Sequence, residues 1–263
     1  ITVGSGAVHF SRQTYLPICV SIPLHLSLFS TISSYPKCAL CSVIQTRMDQ
    51  VNLARRINSL PGTVLSYEDA SLLAYARSVI PPSIFCTYAG SYGTRAVAGS
   101  HVLFDFVHLG QESCPEAGRI NDDLVVSLVR WFKYSFFKWY KPRCPSCDRG
   151  GTDVESRGVV GPETPLEKEG KASRVEVYRC KHCDSTFRFP RFNDARTLLS
   201  PSGRRGRCGE FANAFTCLLR AVGFEARYVL DLTDHVWCEY WSERMDRWVH
   251  VDPCEAKVDG AGI

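Results

Sequence analysis

Three groups of residues in this 263-residue chain have types and spacings suited to chemistry. The first centres on Cys208, where a basic loop (Arg204, Arg205, Arg207) gives way to an apolar stripe of Phe211, Phe215, Leu218, Leu219 and Val222. The stripe reads as a helix stopped by Gly223. A thiol at a helix N-terminus meets the positive end of the macrodipole and nearby guanidinium groups, and both favour the nucleophilic thiolate; Glu210 opposes them. The second group is a base and its orienter: His235 opens one alternating segment and Asp252 closes the next. The third is Cys144-Pro-Ser-Cys147 with Cys180-Lys-His-Cys183, two knuckles bracketing a polar stretch. Each knuckle turns two thiolates toward one point, and four soft ligands in a tetrahedron suit zinc. With all four positions filled by protein, such a site is structural rather than catalytic.

Positioning these groups requires particular elements. Apolar positions between Tyr67 and Val79 recur with helical spacing before Pro81-Pro82. A stronger helix is expected from Asn121 to Tyr140, with Asn121, Asp122 and Asp123 as capping residues. His101–Val107 and Arg174–Tyr178 read as short strands, and residues 148–173 as a solvated loop. After the Cys208 helix, Phe224–Leu230, His235–Trp241 and Arg247–Val251 alternate, which gives a helix packed on an antiparallel sheet, an α+β class. A turn over Ser242–Met245 would set His235 opposite Asp252, Trp237 opposite His250 and Glu239 opposite Trp248. Opposed side chains lie about 5 Å apart at Cβ, within hydrogen-bonding range for an imidazole and a carboxylate.

The composition, 45% apolar and 22% charged, excludes collagen-like, coiled-coil and disordered classes. A formal charge of +4 does not argue for nucleic acid or an anionic membrane surface, and no apolar run reaches the length of a spanning helix. Thirteen cysteines, an odd number, rule out complete pairing within the chain, so a reducing, cytosolic setting is expected. Residues 1–47 contain no acidic residue and are rich in serine; they are expected to be a disordered or non-native leader, with Cys38 and Cys41 inert. Residues 48–140 are expected to form a helical part, 141–190 a zinc-binding subdomain and 191–263 the catalytic core.

Plainer readings stand beside each of these. A cysteine at a helix start is often only a small buried residue. Cys217, Cys238 and Cys254 are rival thiols, and His250 is a rival base. His235 could cap a strand, and Asp252 could begin a turn with Pro253. The two cysteine pairs could be unrelated buried residues or redox pairs.

Gly206-Arg-Cys-Gly-Glu210, Glu225-Ala-Arg-Tyr-Val229, Thr233-Asp-His-Val-Trp237 and Arg247-Trp-Val-His-Val-Asp-Pro-Cys-Glu255 resemble the cytoplasmic peptide:N-glycanases of the transglutaminase-like superfamily. The likeness runs from about residue 50 to 257 through Trp131-Phe-Lys, Phe136-Phe-Lys-Trp139, Val175-Glu-Val-Tyr-Arg-Cys180 and Arg188-Phe-Pro-Arg-Phe-Asn-Asp194. The resemblance implies a papain-like fold, a triad of Cys208, His235 and Asp252, and a core truncated at its C-terminus. It also implies a four-cysteine zinc site and a substrate cleft including Arg227, Trp237, Glu239 and Trp248. The implied reaction cleaves N-linked glycans from asparagine side chains of misfolded glycoproteins through a thioester. Implied partners are a ubiquitin-receptor shuttle protein and the proteasome pathway, with no nucleic acid and no membrane, in the cytoplasm and also the nucleus. Phe211 and Leu232 replace tryptophans usual in the family, which bears on substrate affinity more than on chemistry. Two alternatives remain: a catalytically impaired transglutaminase-like scaffold, and a transglutaminase or cysteine protease using the same triad.

Overall fold

A computed structural model describes residues 2–4, 7–9, 18–21, 62–85, 117–231 and 235–259. In chain order the elements begin with strands β1 (Thr2–Gly4), β2 (Ala7–His9) and β3 (Ile18–Ser21), then helices α1 (Ala70–Ser78) and α2 (Ala117–Trp131). Strands β4 (Lys138–Trp139) and β5 (Val154–Val160) follow, then α3 (Pro165–Glu169), β6 (Val175–Cys180), β7 (Thr186–Pro190) and α4 (Ala195–Leu199). The chain continues with β8 (Arg205–Gly206), α5 (Cys208–Ala221), β9 (Ala226–Asp231), β10 (Val236–Ser242), β11 (Arg247–Asp252) and β12 (Lys257–Val258).

The main sheet runs β1-β2-β3-β9-β10-β11-β12, antiparallel except where β3 lies parallel to β9. Strands β1, β2 and β3 lie within residues 1–47; Cys38, Cys41, His101–Val107 and Leu232 lie outside the described residues.

Strand β10 alternates: Val236, Cys238, Tyr240 and Ser242 are buried, while Trp237, Glu239 and Trp241 are half-buried. The inward face packs on α5, where the Cys238 thiol donates to the Ala212 carbonyl at 3.2 Å. Helix α5 is buried on every side, with Phe211, Phe215, Leu218 and Leu219 sealed from solvent. Its one buried amide is satisfied at both ends: Asn213 accepts from Tyr67 Oη at 2.7 Å and donates to the Asn193 carbonyl at 2.9 Å. Gly223 follows at φ 100°, a left-handed stop that glycine adopts without steric cost.

Helix α2 begins at Ala117, so Asp122 is no cap. Its buried carboxylate instead accepts from Tyr240 Oη (2.8 Å), Ser242 Oγ (3.2 Å) and Arg244 Nε (2.7 Å), tying the helix to the β10–β11 hairpin. The helix expected to reach Tyr140 ends at Trp131 in a π-turn, Phe132–Phe136, and the widened turn brings Phe132, Phe136 and Phe137 all into the core. The expected loop 148–173 holds β5 and α3. Strand β5 is mostly exposed, so it lacks the alternation that marks a half-buried strand, whereas α3 carries a capping box of Thr164 and Glu167 with Pro165 at its start. Strands β5, β6 and β7 form a separate antiparallel sheet that carries Cys180 at the end of β6.

Candidate active site

Cys208 is the first residue of α5. Strand β8, just before it, pairs in parallel with β4, and the Gly206 carbonyl accepts from Tyr140 N at 2.8 Å. Glycine is required at 206, since a Cβ there would sit 2.3 Å from Glu210 Cβ. Glu210 folds back to accept the Arg207 N–H at 2.9 Å. The opposition of Glu210 to a thiolate is blunted, because Arg191 donates to both its oxygens at 2.6 and 2.9 Å. Of Cys208, Cys217, Cys238 and Cys254, Cys208 alone is not buried. Burial pushes the Cys217 thiol up to about 12 and raises Cys238 and Cys254 as well, holding all three protonated.

His235 and Asp252 meet: Nε2 lies 2.8 Å from Oδ2. The other carboxylate oxygen, Oδ1, accepts the Cys254 N–H at 2.8 Å, and Lys133 Nζ donates to the Cys254 carbonyl, so the Asp-Pro-Cys turn is held from both sides. An ionised carboxylate only accepts, so Nε2 carries a proton, and in the neutral ring Nδ1 is then the acceptor. Besides burial, Asp252 and then Cys208 push the Cys254 thiol up. The rival base His250 is lowered below the ordinary imidazole range by burial, with Asp252 and Glu239 pulling the other way.

The pairing differs from the expected one by two positions. Glu239 faces His250, Trp241 faces Trp248 and Ser242 faces Arg247. The turn is Glu243–Asp246, with Ser242 Oγ accepting the Met245 N–H at 3.2 Å and Asp246 at φ 49°. Moving the turn centre by one residue shifts each partner by two, which conserves the face because side chains alternate with period two. His235 therefore reaches Asp252 on a diagonal rather than from directly opposite.

The four residues assigned to a cleft do cluster. Arg227 is the cross-strand partner of Glu239 and donates to its Oε2 from Nε (2.8 Å) and Nη2 (2.5 Å). Trp237 Nε1 donates to Glu239 Oε1 at 3.4 Å, and the Arg227 guanidinium lies 4.0 Å above the Trp248 ring. The His235 and Trp237 rings, 5.8 Å apart, join this group to the dyad. It occupies the face of β10 turned away from α5. Phe211, by contrast, is sealed among Phe132, Phe137 and Trp139, so that position serves the core.

The Sγ atoms of Cys144, Cys147, Cys180 and Cys183 lie within 4.8 Å of one another, with Cys144–Cys183 at 3.4 Å and Cys147–Cys180 at 3.6 Å. A tetrahedron of metal–sulfur bonds of about 2.3 Å has edges of about 3.8 Å, so the donor set fits a thiolate-bound metal ion. The knuckles repeat a pattern that the cysteine spacing alone did not reveal: Arg143-Cys-x-x-Cys-Asp148 and Arg179-Cys-x-x-Cys-Asp184. In each, the aspartate N–H bonds the first cysteine's carbonyl (2.9 and 3.0 Å), its φ is positive (55° and 62°), and its carboxylate pairs with the preceding arginine.

Residues 154–253 match the model of the transglutaminase-like superfamily. The peptide-N(4)-(N-acetyl-beta-glucosaminyl)asparagine amidase of Candida glabrata is 46% identical over 140 residues, covering 53% of this chain and 39% of that protein. The amidase of the same name from Oryza sativa subsp. japonica is 38% identical over 206 residues (78% and 41%), and that from Gallus gallus 41% over 197 residues (74% and 28%). The chain thus spans 28% to 41% of the length of the last two relatives. Among the described residues no helix is long and apolar enough to cross a membrane.

Proposed function

We propose that this transglutaminase-like chain is an amidase that releases N-linked glycans from asparagine side chains. The observation that carries the reading is the His235–Asp252 pair at 2.8 Å, which leaves Nδ1 basic, on a chain whose other candidate, Cys208, opens a helix. Cys208, as thiolate, attacks the side-chain carbonyl carbon after His235 takes its proton. The oxyanion is met by backbone N–H groups at the start of α5. Collapse breaks the carbon–nitrogen bond, and His235 returns the proton to the departing glycosylamine. Water, deprotonated by His235, then hydrolyses the thioester, leaving aspartate and the free thiol. Asp252 holds the tautomer and stabilises the imidazolium. Arg227, Trp237, Glu239 and Trp248 bind sugar and peptide, with flat indole faces suited to pyranose rings.

In this reading the metal of the four-cysteine cluster is zinc, it is structural, and no reacting atom touches it. Substrates are misfolded N-glycosylated proteins, since a folded surface holds the scissile amide too close to the chain. The compartment is the cytoplasm, with the nucleus as a second location, and a ubiquitin-receptor shuttle protein leading to the proteasome is the partner. The names and extent of the matched relatives support the reaction class.

The test is incubation of a denatured glycoprotein with the protein and with Cys208→Ala. The wild-type chain should release the intact glycan and leave aspartate at the former glycosylation site, seen by peptide mass spectrometry, and the variant should release none. Glycan release undiminished in the variant overturns the assignment. Incorporation of an amine acceptor instead of water would make the chain a transglutaminase.

A further inference from the structure

The nucleophile's helix is fastened to the cysteine-bearing sheet by a closed ring of charges that the proposed chemistry does not use. Glu176 lies on β6, the strand that ends in Cys180, and is buried. Its Oε1 accepts from Arg191 Nη1 at 3.1 Å and Arg207 Nη1 at 3.0 Å, and its Oε2 accepts from Arg207 Nη2 at 2.7 Å and from Tyr178 Oη. Arg191 passes from Glu176 to Glu210, donating to both oxygens of the latter. Glu210 closes the ring by accepting the backbone N–H of Arg207. Two guanidinium groups and two carboxylates take part, so the charges balance, and the residue joined to Cys208 by one peptide bond is gripped at its side chain and its backbone. A bidentate arginine–carboxylate pair fixes direction as well as distance. Arg207 and Arg191 also sit 5.8 and 5.9 Å from the Phe189 ring centroid, which limits their sideways movement.

We infer that Glu176 is a positioning residue for Cys208, setting the first turn of α5 through Arg207 and so linking the cysteine-bearing sheet to the reactive thiol. The inference rests on Cys208 being the nucleophile. Without Glu176, Arg207 loses its bidentate partner, Arg191 keeps only Glu210, and the turn that aims the sulfur loosens. Since about 1 Å of misplacement costs about 100-fold in rate, a large kinetic effect is expected with little change in substrate affinity.

The test is a cycle of Glu176→Gln, Arg207→Gln and the double variant, with folding checked by circular dichroism. Each single change should lower kcat for glycan release by about 10- to 100-fold with KM moved less than about twofold, and the double variant should lose no more than the worse single one. A purely structural role would instead multiply the two losses or reduce the folded fraction in step with activity, and either overturns the inference, as does an unchanged kcat in Glu176→Gln. Iodoacetamide alkylation of Cys208, followed by peptide mapping, is read in parallel and needs no glycan. It should slow by about 2- to 30-fold in Glu176→Gln, with no further slowing when that change is added to Arg207→Gln. Alkylation that is unchanged or faster overturns the positioning role. A wild-type protein that releases no glycan, yet shows this alkylation pattern, would fail the amidase reading and leave the ring's action on the thiol standing.

Discussion

His235 has one nitrogen committed to Asp252, and in the proposed mechanism the other takes the proton of Cys208. A second contact, the Cys254 N–H on Oδ1, stops the Asp252 carboxylate from rotating away. Replacing Asp252 with Asn keeps the shape but removes the charge, and it allows the amide to present N–H to Nε2, which reverses the tautomer. The expected result is a fall in kcat of about 10³- to 10⁴-fold with glycopeptide KM little changed, measured by steady-state glycan release. A loss smaller than tenfold would mean that His235 is oriented by something else. The neighbouring thiols should be spectators: burial holds Cys217 and Cys238 protonated, so Cys217→Ser should leave the rate constant for glycan release within about twofold of wild type.

At the scale of elements, two short pieces carry more than their length suggests. Strand β8 is two residues long, yet it delivers the chain to Cys208 between β4 and Glu210. Gly206→Ala would force a Cβ to within 2.3 Å of Glu210 Cβ, so the variant should lose about 1–3 kcal/mol in denaturant unfolding. Its Cys208 alkylation rate should change too, because Glu210 is the group displaced. Helix α3 depends on Glu167, whose carboxyl is drawn down to about 2 by the Arg188 guanidinium, against the effect of burial and with help from the Glu163 and Thr164 N–H groups. In the unfolded chain a glutamate titrates near about 4.3. The folded value is the lower one, so this group's contribution is complete above that pH and is lost as pH falls toward about 2. Glu167→Gln should therefore be less stable than wild type by about 1.5–3 kcal/mol at neutral pH, the two converging as pH drops through that window. Curves that stay parallel in an acid titration of melting temperature would show that Glu167 does not contribute in this way.

For the molecule as a whole, the four-cysteine cluster joins the turn after β4 to the tip of the β6–β7 hairpin. A metal there cross-links segments 33 to 39 residues apart. With the proposed zinc bound, chelation of the purified protein should lower its melting temperature by about 10 °C and release the metal, measured by calorimetry and a colorimetric metal assay; a melting curve indifferent to chelation would remove the structural role. Much of this was readable in the chain. Continuous apolar stripes specified α5, alternation specified β9 to β11, and paired C-x-x-C spacing specified the cluster, because these signals are local and repeat with the period of the element that bears them. The Thr-Pro-x-Glu start of α3 is an equally local signal, masked by the glycine and charge around it. What the sequence determined by itself is therefore which face each side chain occupies: a period of two survives any even shift of register, so His235, Trp237, Glu239 and Trp248 share a side whether the turn begins at Ser242 or Glu243. Only the tertiary structure decided which partner each one meets, that Asp122 anchors a hairpin instead of capping a helix, and that Glu176, Arg191, Arg207 and Glu210 close a ring across 15 to 31 residues. A charged residue looks the same in sequence whether it is solvated or paired, since what holds it is a distance in space that no periodicity records.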